Sequence, residues 1–211
     1  MTANTETWEA GFTKLLAFNE TSYARTIMFD NDATVYKHLD HLFLLPPTPV
    51  AIPRAYWLAP NPPPEKTVNK YQLSGQLLVA TPDRVIFNKL LDEVNKKGEN
   101  DYDMEIINWV LGPVAMVLPH RALNLLSGEF RQEHIPGYNG YDRYLGLGGE
   151  TWDAMKVLNE AYYVHFSDFP RPKVRAPFTA VVLANMLMNC YAAMVLTKQR
   201  KYATFNPKML P

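Results

Sequence analysis

The stretch SGQLLVA, residues 74–80, constrains the fold more than any other. It is a continuous apolar run without alternation, the pattern of a β-strand covered on both faces. Such a strand needs chain packed above and below it, and the flanking sequence supplies helices. Trp8, Phe12, Leu15 and Leu16 recur at helical spacing and predict an amphipathic helix over about residues 6–19. Thr81 reads as an N-cap with Pro82 in the first turn, opening a helix to about Lys96 with Val85, Ile86, Leu90 and Val94 inward. A second helix is expected over about 103–110, stopping near Gly112-Pro113. Further strands are expected at 24–30, in VAIPRAYW, in VAMVL (114–118) and in AYYVHF (161–166). APNPPPEKT (59–67) reads as an extended loop, and PGYNGYDRYLGLGGE as a glycine- and tyrosine-rich one. In the latter, Tyr138, Tyr141 and Tyr144 either line a sugar groove or pack the loop. Helices alternating with buried strands predict an α/β fold built on a three-layer, mostly parallel sheet.

A chain of 211 residues is one domain, or one domain with an appendage, and buries a sizeable core. Lysine plus arginine (21) balance aspartate plus glutamate (21), so charge gives no reason to expect nucleic acid as a partner. Cys190 is the single cysteine, which excludes an internal disulfide framework and a cysteine zinc cluster. MTANTETWEAGF has no basic region followed by an apolar core and is not a signal peptide.

The chemistry starts where the strand IMF runs into Asp30-Asn31-Asp32. Residues i and i+2 of a strand face the same way, so Asp30 and Asp32 present two carboxylates to one point. Hard oxygen ligands held that close suit Mg²⁺ or Mn²⁺. Ligands of α/β sheets bind beyond the carboxyl ends of strands, where this pair falls. The alternative is an Asx-rich turn. Far downstream, His165 lies in an apolar strand followed by Ser167-Asp168, Arg171 and Lys173. Its imidazole either completes a metal site with the two aspartates or is a core histidine bonded to a backbone carbonyl. His38, His41, His120 and His134 show no ligand-like pairing.

Taken in order, FTKLLAF, YARTIMFDNDATVYKHLDHLFLLP, IPRAYW, LSGQLLVATP, YDMEIIN, LPHRALNLLSGEF and VHFSDFPRPK resemble the glycogenin-like family of retaining nucleotide-sugar glycosyltransferases. The likeness is greatest to its fungal α-N-acetylglucosaminyltransferase branch and covers about residues 8–173. It implies a GT-A-like nucleotide-diphospho-sugar transferase sheet, a UDP-sugar donor and a glycan acceptor. By the same resemblance, Asp30 and Asp32 hold manganese (or magnesium) with His165 as third ligand, and Lys14 contacts the donor sugar. Asn31, Ser74, Gly75 and Lys173 fall among donor-binding positions, and Asp103 near the reacting carbon. The matches are imperfect: Leu73 stands where the family has asparagine, Met104 follows Asp103 where glutamine is usual, and Lys173 is spaced further from His165. Read without the resemblance, Asp103 is equally a helix N-cap.

The resemblance begins mid-domain, at the helix preceding the Asp-x-Asp strand, so the expectation is a chain missing N-terminal strands. Residues 1–173 are then a partial catalytic domain and 174–211 a divergent apolar tail. Within that tail, 176–197 carry no charge, a length near the ~20 residues that span a bilayer. Asn185 and Asn189 on one helical face favour a buried or pairing helix over a misread terminus or a membrane anchor. The expected function is metal-dependent transfer of N-acetylglucosamine or another hexose with retention. The competing reading is an inactive, truncated family member, either a binding protein or an unstable remnant of the fold. An anchored full-length protein would sit in the Golgi or secretory pathway, an unanchored one in the cytoplasm.

Overall fold

The structure is a computed structural model that describes residues 10–58, 72–99, 101–134, 142–146 and 149–166. The proline-rich loop at 59–67, Tyr138 and Tyr141, Arg171, Lys173, Cys190 and the apolar tail lie outside the described residues.

The described residues form seven strands: β1 (Thr26–Phe29), β2 (Ala33–Val35), β3 (Val50–Pro53), β4 (Leu77–Ala80), β5 (Met116–Leu118), β6 (Leu125–Leu126) and β7 (Tyr163–His165). They form a four-stranded sheet in the order β1-β4-β3-β5 and a three-stranded sheet in the order β2-β7-β6. The α/β class is the one expected, but the strand directions are mixed rather than mostly parallel. β4 runs antiparallel to both β1 and β3, and β2 antiparallel to β7, while only β3–β5 and β6–β7 are parallel. The reason lies at the end of β3. Ser74 N–H donates to Pro53 O at 2.8 Å and Arg54 bridges Leu73, so the chain returns beside the strand it left. A return to the same end gives an antiparallel neighbour, whereas a parallel one needs a crossover to the opposite end.

β4 occupies the double-sided position that its sequence demands. Leu78 and Ala80 enter a core with Leu15, Phe18, Leu90, Ile106 and Ile107; Leu77 and Val79 enter another with Leu39, Leu42, Leu118 and Tyr163. Each leucine buried this completely contributes about 1.5–3 kcal/mol of transfer free energy.

Two helical expectations are corrected. The first helix, Ala10–Phe18, is 3₁₀ rather than α. At three residues per turn, Phe12, Leu15 and Phe18 share the inward face, and Leu16 falls off it, 50% exposed. The next helix, Arg84–Lys96, is capped by Asp83, whose carboxylate accepts from Val85 N–H (2.7 Å) and Ile86 N–H (3.0 Å). Thr81 instead donates its hydroxyl to Thr48 O at 2.7 Å. With that start, Ile86, Leu90 and Val94 face the core and Val85, one position off the stripe, points to solvent. The helix Asp103–Leu111 and its stop at Gly112 match expectation. Tyr144 is fully buried and lines no groove. No helix among the described residues is long and apolar enough to cross a membrane.

Candidate metal centre

Strand pairing builds the site. Asp30 directly follows β1, where its N–H donates to Gln76 O at 2.9 Å. Asp32 directly precedes β2, and its carbonyl accepts from Phe166 N–H at 2.8 Å. β2 pairs with β7 in a register that sets Ala33 opposite His165, so the imidazole at the end of β7 arrives beside both aspartates. His165 Nε2 lies 3.1 Å from Asp32 Oδ1 and 3.4 Å from Asp30 Oδ2. One ligand atom from each of the three residues falls within 4.8 Å of the others.

The imidazole is buried, and its Nδ1 has no hydrogen-bond partner among the described residues. Among the described residues, two carboxylates and no backbone carbonyl hold the ring. Burial opposes its charge, yet the hydrogen bonds and fields of Asp30 and Asp32 prevail and raise its pKa. Two carboxylates with one imidazole fit a divalent cation.

A cation is already built in beside that group. Lys14, projecting from the 3₁₀ helix, sets Nζ 2.7 Å from Asp30 Oδ1, 2.6 Å from Asp103 Oδ2 and 3.1 Å from Gly75 O. Burial works against its charge, and the carboxylates of Asp30 and Asp103 overcome that to raise its pKa. Asp103 is not an N-cap. Tyr102 holds that position with its N–H donated to Glu105 Oε2 at 3.1 Å, which leaves the Asp103 carboxylate for Lys14.

Of the other sequence candidates, Gly75 reaches the site through its carbonyl, and Asn31 is exposed between the two aspartates. Ser74 is buried, its Oγ accepting from Gln76 N–H at 3.1 Å. Sequence reasoning missed Tyr163, whose hydroxyl donates to Gln76 O at 3.0 Å and ties β7 to the start of β4. Its place two residues before His165, on the same strand face, was the available signal.

A second polar knot lies elsewhere. Tyr56 Oη donates to Glu129 Oε1 at 2.9 Å, and His134 stacks 3.7 Å from Trp152 between Asp142 Oδ2 (3.0 Å) and Glu129 O (2.9 Å). His134 is thus paired with acceptors that anchor packing, and among the described residues it belongs to no candidate metal group.

No family model matches the chain. It is 46% identical over 168 residues to "Glucose N-acetyltransferase 1" of Gibberella zeae, covering 80% of this chain and 35% of that protein. Identity to the Aspergillus fumigatus protein of the same name is 41% over 195 residues, covering 88% and 47%. The chain thus spans less than half the length of these relatives. Among solved structures, it is similar to the glycosyltransferase GlyE of Streptococcus pneumoniae TIGR4, with a TM-score of 0.55, 14% identity, and coverage of 90% of this chain and 48% of that one. The fold is therefore of the GT-A type.

Proposed function

For a chain homologous to the fungal proteins named Glucose N-acetyltransferase 1 and folded in the GT-A manner, we propose transfer of a sugar from a nucleotide-diphosphate donor to a glycan acceptor. The observation that carries this reading is the meeting of Asp30, Asp32 and His165 beside the Lys14–Asp103 pair. The relatives' name couples glucose with an N-acetyl group, which favours UDP-N-acetylglucosamine as donor, with other UDP-hexoses as the wider class.

Asp30, Asp32 and His165 are the residues that would hold Mn²⁺ or Mg²⁺. When bound, such an ion would supply positive charge for the donor diphosphate and for the negative charge that grows on the departing UDP. Lys14 would hold the donor sugar and Asp103 would face the positive charge that develops on its ring, a reading supported by their contact at 2.6 Å beside the carboxylate group. Both side chains are only 13% exposed, so their fields act through a less screened medium than water. Asn31, Ser74, Gly75 and Lys173 complete the proposed donor contacts, and the transfer retains configuration at the reacting carbon.

The test is UDP release from UDP-N-acetylglucosamine with Mn²⁺ and an oligosaccharide acceptor, with the product's anomeric configuration read by NMR. An α-linked product is expected from this α-donor. A folded protein that turns over no UDP-hexose contradicts the proposal.

A further inference from the structure

Gly11 is out of place by local rules. It is the second residue of the 3₁₀ helix Ala10–Phe18, where alanine is the better helix former. Its backbone is not left-handed; among the described glycines only Gly146 and Gly149 have positive φ. Conformational freedom therefore does not explain it.

The space around it does. A Cβ on Gly11 would stand 2.9 Å from Asp103 Oδ1, and one on Gly75 would stand 2.6 Å from Asp103 Oδ2 and 3.7 Å from Lys14 Nζ. Each carboxylate oxygen thus faces a bare Cα, from the 3₁₀ helix on one side and from the turn before β4 on the other. Gly112 offers the contrast: its Cβ would meet only Asn108 Oδ1, at 3.9 Å, an ordinary contact. Gly11 and Lys14 are three residues apart, one 3₁₀ turn, so the gap and the ammonium lie on the same helix face.

We infer that Gly11 is a positioning residue: with Gly75 it walls a side-chain-free slot that seats the Asp103 carboxylate on the Lys14 ammonium. A methyl group at position 11 pushes the carboxylate toward Gly75, whose backbone already closes that side, and so off its 2.6 Å contact with Lys14. The consequence for catalysis rests on the transferase reading; the slot itself does not.

The experiment is a double-mutant cycle of Gly11→Ala and Asp103→Ala, read by melting of the free protein and by UDP release from UDP-N-acetylglucosamine with Mn²⁺. Gly11→Ala is expected to lower the melting midpoint by about 2–4 °C in the native background and to raise it when Asp103 is already alanine. Turnover is expected to fall at least about tenfold in kcat with a smaller change in donor KM, and to fall no further in the double variant. Should Gly11→Ala fail to fold, a folded double variant supports the slot and an unfolded one overturns it. Additive melting shifts overturn the slot whatever the turnover. A kcat unchanged by Gly11→Ala overturns its role in positioning. If the native chain releases no UDP, the transferase reading falls, and the slot is judged on the melting cycle alone.

Discussion

Lys14 Nζ stands 2.7 Å from Asp30 Oδ1, so one of the three proposed metal ligands already carries a fixed counter-charge. The neighbouring carboxylates raise the Lys14 pKa against the opposing effect of burial, so the ammonium persists through neutral pH. Any cation placed among Asp30, Asp32 and His165 meets it. Two unit charges of like sign about 4 Å apart repel by roughly 4 kcal/mol at an effective dielectric of ~20, and a divalent ion is repelled by about twice as much. Lys14→Met is therefore expected to bind Mn²⁺ at least about tenfold more tightly, read by electron paramagnetic resonance of the free ion, while losing donor turnover. Unchanged or weaker Mn²⁺ binding would contradict the electrostatic arrangement.

Asp83, not Thr81, caps the helix Arg84–Lys96. Asp83→Ala removes the acceptor for two helix N–H groups and is expected to cost about 1 kcal/mol in urea unfolding. A loss within error would mean that water replaces the cap at no cost.

Glu150 is held at a pKa of about 2 by hydrogen bonds from Arg121, at 2.6 and 2.9 Å, and from Lys156 at 2.5 Å. A carboxyl whose folded pKa is depressed stabilises the fold above its ordinary value of 4.5 and loses that contribution as pH falls through the folded value. Glu150→Gln should therefore lower the melting midpoint near neutral pH, and the difference should shrink toward pH ~2 and in high salt. The same difference at all pH values would exclude the ionic contribution.

What could be read from the chain depended on how local each feature is. The run Leu77–Ala80 announced a doubly covered strand because its own residues specify both faces. The Asp30–Asp32 spacing suggested converging carboxylates through strand alternation, but the pair flanks the bend between β1 and β2, and it is the pairing of β2 with β7 that brings both beside His165. β2 was not legible: Ala33–Val35 is three residues long and takes its pairing from β7, far along the chain. The first helix misled because Phe12, Leu15 and Phe18 suit a 3₁₀ period, while the α period brought in Leu16. The purpose of Gly11 was hidden because it depends on Asp103, which reaches it only in the folded chain.

UDP binding by calorimetry, with and without Mn²⁺, on the native chain and on Asp32→Ala, tests the central claim most directly. The account predicts binding that requires Mn²⁺ and disappears in Asp32→Ala while the fold persists. A folded native chain that binds no UDP with Mn²⁺ present, or an Asp32→Ala variant that binds it as the native chain does, would contradict the proposed metal centre.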